Sequence, residues 1–267
     1  PKPQVFKHFN LSLWKEMMSY GLPLLLGGLA GVINETLDRA LLTYMLPNSE
    51  ALYQVGIYGA CYKIAVFMTL FVQAFRLGAE PFFFNHSGEK DDKKTFALIA
   101  QYFLLASCFI FLVINFYLGW IKGFIGEEYH EGLHVVPILL GANVFLGLYI
   151  NLAAWYKLSD KTKYGAWFSI FGAIITLSIN LIFIPKYGYL ASAWATLAAY
   201  FSMVVISYLY GKKHYPIPYS IQKMALYLTL SIALFFAQKI IPFHFALSGT
   251  LLLFIFAVIV ITVSYTH

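Results

Sequence analysis

Apolar runs of about 20 residues recur along this sequence, which is the length that a helix needs to cross a membrane. Hydrophobic residues make up 60% of the chain and charged residues 11%, and the mean hydropathy is +0.72. Soluble domains carry about 25% charged residues. Only helices and closed barrels span a bilayer, and barrel strands have short segments of alternating hydrophobicity, unlike these runs. The sequence therefore predicts an all-α, polytopic transmembrane helical bundle.

Charged or Pro/Gly-containing breaks divide the apolar runs into eight candidate spans. In chain order the spans cover residues 17–45, 53–84, 95–118, 135–158, 164–184, 190–210, 220–238 and 245–265. Because the connections are short, we expect consecutive helices to be antiparallel neighbours. We expect three regions, namely a cytoplasmic lead-in over 1–16, a six-helix transmembrane lobe over 17–210 and two additional transmembrane helices over 211–267.

Lysines are distributed unevenly between the two sets of connections. One side carries twelve: Lys2, Lys7, Lys15, Lys90, Lys93, Lys94, Lys157, Lys161, Lys163, Lys212, Lys213 and Lys223. The other side carries Lys122, Lys186 and Lys239, with Arg39 near its membrane boundary. Cytoplasmic loops are enriched in Lys and Arg, so the segment is predicted to be N-in and C-in. The same bias accounts for the net charge of +6 without a nucleic-acid partner.

The second span carries a polar stripe on an otherwise apolar helix. At about 100° per residue, six polar residues fall within roughly 60° of one another: Tyr58, Tyr62, Thr69, Gln73, Arg76 and Glu80. A charged side chain in lipid costs on the order of 3 kcal/mol on insertion scales, so we expect the stripe to face protein or a cavity. Two simpler readings stay open: packing against neighbouring helices, and an interfacial Arg76 with Glu80 as its i,i+4 partner.

The first span has a stripe of its own. Its members fall within about 80° of one another: Pro23, Gly27, Gly31, Asn34 and Asp38. Small residues allow close helix packing, and Pro23 favours a bend of the kind found in transporter helices that line a cavity. We expect Asn34 and Asp38 to face the same cavity as the stripe of the second span, with Arg39 following them.

Glu35 and Lys63 lie off these two stripes or at their edge. Each is 14 residues from Ser49 in the connection between the first two spans, so an antiparallel hairpin places them at similar depth. An interhelical ion pair between Glu35 and Lys63 is one hypothesis, and direct contact of Lys63 with a substrate is the other. Glu35 and Asp38 are also candidates for coupling to an ion, because intramembrane carboxylates are rare and functional.

Features of an enzyme are weak in this sequence. The segment "HSGEKD", residues 86–91, matches the His-x4-Asp pattern of glycerolipid acyltransferases, but it lies in a charged connection with no nucleophile or partner motif. Cys61 and Cys108 fall inside apolar runs, where cysteine behaves as a small hydrophobe. We expect no catalytic centre, no metal site and no cofactor.

The two stripes lie in a stretch that resembles the start of the second lobe of bacterial polysaccharide flippases, of the multidrug/oligosaccharidyl-lipid/polysaccharide export superfamily. The resemblance is specific over about residues 15–95. It rests on "YGLP" at the start of the first span, the Asp38–Arg39 pair, "VGIYGACYK" and the Phe71, Ala74, Arg76 spacing before "PFFF". Further along, "IPKYGYLASAWATLAAY" resembles the connection between the fifth and sixth helices of that lobe.

The resemblance implies a fold of two six-helix lobes around a central cavity, often followed by two more helices. This chain would then hold the second lobe and the extra pair, and its partner would be a missing N-terminal lobe of the same polypeptide. The implied location is the bacterial inner membrane, in contact with membrane lipid.

The function implied by the resemblance is transport, not catalysis. Such a protein flips undecaprenyl-pyrophosphate-linked oligosaccharides from the cytoplasmic to the outer face by alternating access, for surface polysaccharides such as the O-antigen of lipopolysaccharide. Arg76 and Lys63 would suit the pyrophosphate. One alternative is a drug or small-solute exporter of the same fold, and a more distant one is a membrane glycosyl- or acyltransferase.

The lysine distribution generates a topology prediction. In a variant lacking Cys61 and Cys108, Ser49→Cys should react with a membrane-impermeant thiol reagent in intact cells, whereas Lys93→Cys should react only after the cells are opened. The reason is that residue 93 lies in a lysine-rich connection and residue 49 does not. Labelling of residue 93 but not of residue 49 in intact cells would reverse the orientation.

Overall fold

The computed structural model describes residues 10–240 and 245–265, so Lys2, Lys7 and most of the predicted lead-in lie outside the described residues. Eight helices form the body: α1 Leu11–Met45, α2 Asn48–Asn85, α3 Asp92–Phe116, α5 Val136–Leu152, α7 Thr162–Tyr187, α8 Tyr189–His214, α9 Ile221–Ile240 and α10 Phe245–Tyr265. Shorter pieces are α4 Leu118–Ile121, α6 Ala154–Leu158 and the 3₁₀ turns Lys122–Phe124 and Glu127–Val135. No strand occurs within these ranges.

The predicted fold class is confirmed. Seven helical segments of the described chain are long and apolar enough to cross a membrane by length and composition. The eighth, in α10, has a shorter described apolar stretch, Gly249–Val260. The first helix begins at Leu11 and not near residue 17, because the side chain of Asn10 accepts hydrogen bonds from the backbone nitrogens of Ser12 and Leu13 and caps the helix there.

The lysine-rich connections gather at one end of the bundle, which we name the lysine-rich end. There the Lys93 ammonium of the α2–α3 connection lies 4.4 Å from the ring centre of Tyr215 in the α8–α9 connection. At the opposite end, the side chain of Gln54 near the start of α2 accepts a hydrogen bond from the backbone nitrogen of Tyr189, at the α7–α8 connection. The helices therefore alternate in direction, as predicted.

Close packing joins helices that are far apart in sequence. The most extensive helix contact of α1 is with α7 and not with its neighbour α2, while α5 lies between α2 and α8. The approach of α1 to α7 depends on small residues: a Cβ at Gly27 would lie only 3.4 Å from the backbone of Ala166. Local periodicity cannot predict such a pairing, because it reports the face of a helix and not its partner.

The additional helices pack at the edge of the lobe, as predicted from their low polarity. Within the described residues, α9 packs on α3 and α10 packs on both. A buried hydrogen bond from Gln101 Nε2 to the Tyr227 hydroxyl, 3.2 Å long, fixes α9 against α3. The extra pair thus contributes to the larger of the two buried apolar clusters of the lobe.

Two glycines of α5 generate a matched stability prediction. A Cβ at Gly147 would overlap the ring of Phe103, which is itself packed against Phe71 and Phe75. A Cβ at Gly141 would lie 3.6 Å from a Leu197 methyl, which is ordinary contact. Overpacking costs about 1–3 kcal/mol, so Gly147→Ala should lower the midpoint of thermal unfolding and Gly141→Ala should not. Equal midpoints would contradict this packing.

Candidate functional site

A cavity of about 290 Å³ opens toward the lysine-rich end of the lobe, between α1, α2, α5–α6 and α7. We name it the cationic cavity. Its walls are formed by Pro23, Leu24, Gly27, Gly28, Arg76, Glu80, Tyr149, Ile150, Ala153, Tyr156, Lys157, Gly165, Ala166 and Ser169. Two cations, Arg76 of α2 and Lys157 of α6, thus border one shared space within the bundle.

One carboxylate in the cationic cavity is shared by two cations. Glu80 Oε1 accepts a hydrogen bond from Arg76 Nε at 3.0 Å and another from Lys157 Nζ at 2.6 Å. The Arg76 side chain is 47% exposed and that of Lys157 only 17%. Two positive charges and one negative charge leave the group with a net charge of +1. The contact uses Nε of Arg76, so the two terminal nitrogens of the guanidinium are not part of it.

Sequence reasoning assigned Lys157 to a connection, and the structure corrects this. The short helix α6 continues α5 after a break at Ala153, and from it Lys157 reaches across to α2. This short helix is anchored by Trp155, which is buried and donates from Nε1 to the Ser207 hydroxyl at 3.2 Å. An aromatic pair directly before a lysine, as in "WYK", is the only local signal that could have indicated this inward placement.

Tyrosine hydroxyls line the wall opposite the cations. The Tyr149 hydroxyl donates to the backbone oxygen of Gly165 at 3.3 Å and lies 3.5 Å from the hydroxyl of Ser169. The Tyr156 hydroxyl donates to that of Tyr149 at 3.4 Å. Such a wall offers both donors and acceptors, which suits a polyhydroxylated or phosphorylated ligand.

The polar stripe of α2 is divided between two environments. Arg76 and Glu80 line the cationic cavity, and Gln73 is exposed one turn away. Thr69 contacts α5 instead, with its hydroxyl donating to Asn143 Oδ1 at 3.1 Å. Tyr58 is buried against α1. Helix packing therefore accounts for the half of the stripe that is farther from the lysine-rich end.

Asn34 and Asp38 lie in a closed network and not among the residues that line the cationic cavity. The Asp38 carboxylate, 2% exposed, accepts hydrogen bonds from Tyr58 at 2.8 Å, Asn180 at 2.7 Å and Thr196 at 2.7 Å. Asn34 accepts one from Thr176. These bonds join α1 to α2, α7 and α8.

Glu35 and Lys63 form no ion pair in the part of the chain that the structure describes. Glu35 Oε1 instead accepts a hydrogen bond of 2.8 Å from the Tyr62 hydroxyl, and the Arg39 guanidinium lies 4.6 Å from the centre of the same ring. Lys63 is the residue after Tyr62, about 100° further around the helix, and it is exposed. Direct contact of Lys63 with a substrate stays a prediction.

Comparison with known proteins agrees with this architecture. The family model described as polysaccharide biosynthesis protein matches residues 3–80, which include Arg76 and Glu80. No curated protein matches the sequence. Among solved structures, "Lipid II flippase MurJ, inward closed conformation" is 16% identical with a TM-score of 0.57, over 94% of this chain and 56% of that chain.

A second solved structure shows the same likeness. It is an outward-facing multidrug resistance MATE family transporter of the MOP superfamily, 17% identical with a TM-score of 0.52, over 84% of this chain and 55% of that chain. The chain thus spans just over half the length of both transporters. The family model agrees with the resemblance to polysaccharide flippases over residues 3–80, and at these identities the two structures show that the fold is shared.

The Asp38 network generates a stability prediction. Asp38→Asn replaces one carboxylate oxygen by an NH₂ group, which would face either the Asn180 amide or the hydroxyls of Tyr58 and Thr196 and could accept from none of them. An unsatisfied buried polar group costs about 1–3 kcal/mol. The midpoint of thermal unfolding should therefore fall. Glu35→Gln on the same helix is the matched control, since Glu35 is exposed and Gln can still accept from Tyr62. An Asp38→Asn variant as stable as Glu35→Gln would contradict the structural role.

Proposed function

We propose that this chain is one lobe of a flippase that moves undecaprenyl-pyrophosphate-linked oligosaccharide from the cytoplasmic to the outer face of the bacterial inner membrane by alternating access. This chain spans just over half the length of MurJ and of the MATE transporter, whose fold it shares. The other lobe of the flippase would be the N-terminal half of the same polypeptide. The observation that carries the proposal is the pair of cations, Arg76 and Lys157, held together in one intramembrane cavity.

The physical problem is the charge of the pyrophosphate. An isolated ion transferred from water into an apolar medium costs tens of kcal/mol by Born solvation, so the group cannot cross the hydrocarbon unaided. Fixed cations in a cavity lower this barrier. Arginine suits phosphate oxygens through its planar fork, and lysine supplies a compact point charge. The cationic cavity holds one of each.

Glu80 makes the binding reversible in this proposal. In the absence of substrate it neutralises one of the two cations, which would otherwise repel each other within an apolar bundle. An arriving phosphate competes with Glu80 for Arg76, whose terminal nitrogens lie outside the contact with Glu80. When the substrate leaves, Glu80 takes back both cations, and the cavity returns to its starting state.

The location of the cavity fits loading from the cytoplasm. The lysine-rich end is the cytoplasmic end in the predicted N-in, C-in orientation, and the lipid-linked oligosaccharide is made on that side. The sugars would meet the hydroxyls of Tyr149, Tyr156 and Ser169. Gln73 and Tyr62 lie on the same face of α2 as Arg76 and mark a path away from that end.

Coupling to an ion is proposed for the opposite half of the lobe. Asp38 and Glu35 are the carboxylates of α1, and Asp38 connects four helices through its hydrogen bonds. A change of charge at Asp38 would weaken or strengthen all these contacts at once, which is the requirement for biasing one packing against another. Substrate and ion would then both act on α1, α2 and α7, from different depths.

An exporter of drugs or small solutes with the same fold is the second candidate, favoured by the likeness to the MATE transporter. A cavity for cationic drugs would need a net negative or aromatic lining. The cationic cavity instead carries a net charge of +1 in its ion cluster. We therefore rank the flippase first.

Substitutions in the cationic cavity test the proposal in the full-length protein. Arg76→Ala should block export of surface polysaccharide while the protein still accumulates in the membrane, because the bidentate phosphate ligand is lost. Arg76→Lys should restore part of the export, since it keeps the charge but not the fork. Lys157→Ala should impair export as well, whereas Lys161→Ala, an exposed lysine four residues away, should not.

The measurement is surface polysaccharide in a strain that lacks its own copy of the flippase, normalised to membrane protein level. Normal export by Arg76→Ala at wild-type level would overturn the role of the cavity. Equal defects for Lys157→Ala and Lys161→Ala would show that the effect of lysine is on membrane insertion and not on the substrate.

A further inference from the structure

A second recess lies on the outside of the lobe, where α9, which packs on α3, faces α5 and α8 across a gap. We name it the α9 groove. It has a volume of about 400 Å³, and its walls are apolar side chains such as Ile138, Val144, Trp194 and Ile232. Within the described residues, none of its lining comes from α1 or α2, which carry the ion cluster of the cationic cavity. It is therefore a separate feature of the fold.

The floor of the α9 groove offers no polar partner to a ligand. Ser231, its buried hydroxyl residue, donates to the backbone oxygen of Tyr227 at 2.6 Å and is thereby satisfied inside its own helix. The rims remain open: Trp194 is 53% exposed and Phe236 is 54% exposed. In a bilayer, an apolar recess of this kind favours a hydrocarbon occupant, because the occupant supplies dispersion contacts along the lining.

The length of the α9 groove matches one leaflet. Its lining runs from residue 134 to residue 145 on one side and from residue 228 to residue 239 on α9. Eleven helical residues rise roughly 16 Å, which is about half of the 30 Å hydrocarbon core. The groove begins at the end opposite the lysine-rich end and stops near the middle of the membrane, as a phospholipid acyl chain does.

The ammonium of Lys239 lies at the mouth of the α9 groove. The Lys239 ammonium lies 4.6 Å from the ring centre of Phe235 and 5.9 Å from that of Phe236, and the residue is exposed at the end of α9. His134 lies at the same depth on the facing wall. Among the described residues that line the groove there is no Asp or Glu. The mouth thus complements a negative charge at headgroup level.

We propose that the α9 groove binds one anionic glycerophospholipid from the leaflet opposite the lysine-rich end, with an acyl chain in the groove and its phosphate on Lys239. In the predicted orientation this is the outer leaflet. A single-leaflet groove suits an acyl chain that ends at mid-membrane better than a polyprenyl chain long enough to cross it. The lipid would hold α9 against α5 and α8 and so fix the extra helices on the lobe.

The test uses two photoactivatable lipids, phosphatidylglycerol and phosphatidylcholine, that carry the same diazirine-labelled acyl chain. The purified full-length protein in nanodiscs is irradiated, and the crosslinks are located by mass spectrometry. Phosphatidylglycerol should label peptides of the groove about five-fold more than phosphatidylcholine, since one lysine near the headgroups contributes about that ratio. Lys239→Gln should reduce its labelling to the level of phosphatidylcholine.

Two further variants distinguish the contribution of the lipid headgroup from that of the acyl chain. Lys186→Gln is the matched control for Lys239→Gln, because Lys186 also lies over an aromatic ring, 5.1 Å from the centre of Tyr187, but lines no part of the groove. Gly141→Leu fills the groove, where a Cβ fits at 3.6 Å from Leu197, and should remove labelling by both lipids.

Three results would overturn the proposal. The first is equal labelling of the groove by the two lipids in the wild-type protein, and the second is equal loss in Lys239→Gln and Lys186→Gln. The third is preferential labelling by a photoactivatable polyprenyl phosphate, which would assign the groove to the transported substrate. The readout does not depend on transport, so failure of the Arg76 experiment leaves this test intact.

Discussion

Hydrocarbon offers no hydrogen-bond partners, and this constraint organises the whole lobe. A polar side chain within the helices needs a partner, either in its own helix, as Ser231 has, or on another helix, where the partner in turn fixes how the two helices pack. Asp38 shows the effect most clearly, because its carboxylate accepts from Tyr58, Asn180 and Thr196 and so joins α1 to α2, α7 and α8. Gln101 and Tyr227 do the same for α3 and α9.

The cationic cavity departs from this constraint at one place. There, a single Glu80 serves both Arg76 and Lys157, and one positive charge is left without an opposite charge in the ion cluster. Uncompensated charge within a bundle is costly, and proteins retain it where a ligand or ion is handled. In the proposed function, the uncompensated positive charge that costs stability in the isolated lobe is also the attraction for a pyrophosphate. Stability and the proposed function meet in this one cluster.

The surface of the lobe combines exposed apolar side chains with a few charged groups. The described part of α1 exposes large apolar side chains along its length, among them Leu25, Leu29 and Val32, which suits contact with lipid or with another lobe. The α9 groove combines an apolar recess with one cation, Lys239, at its mouth. Apolar area alone cannot tell a lipid from a protein neighbour, and in the groove it is the charge at headgroup depth that indicates a lipid.

The sequence by itself determined the helices, their approximate limits and the polar faces of α1 and α2, because hydrophobic length and the 3.6-residue period are local properties. It also contained the motifs that resemble polysaccharide flippases. Only the tertiary structure decided the partners. It placed Lys157 on Glu80, 77 residues away, gave Glu35 to Tyr62 and not to Lys63, and enclosed Asp38 between four helices. The reason is physical: a helix wheel fixes a direction, whereas a contact requires two helices to pack at one depth and angle. That packing depends on distant small residues such as Gly27 and on breaks between helices, such as the one before α6.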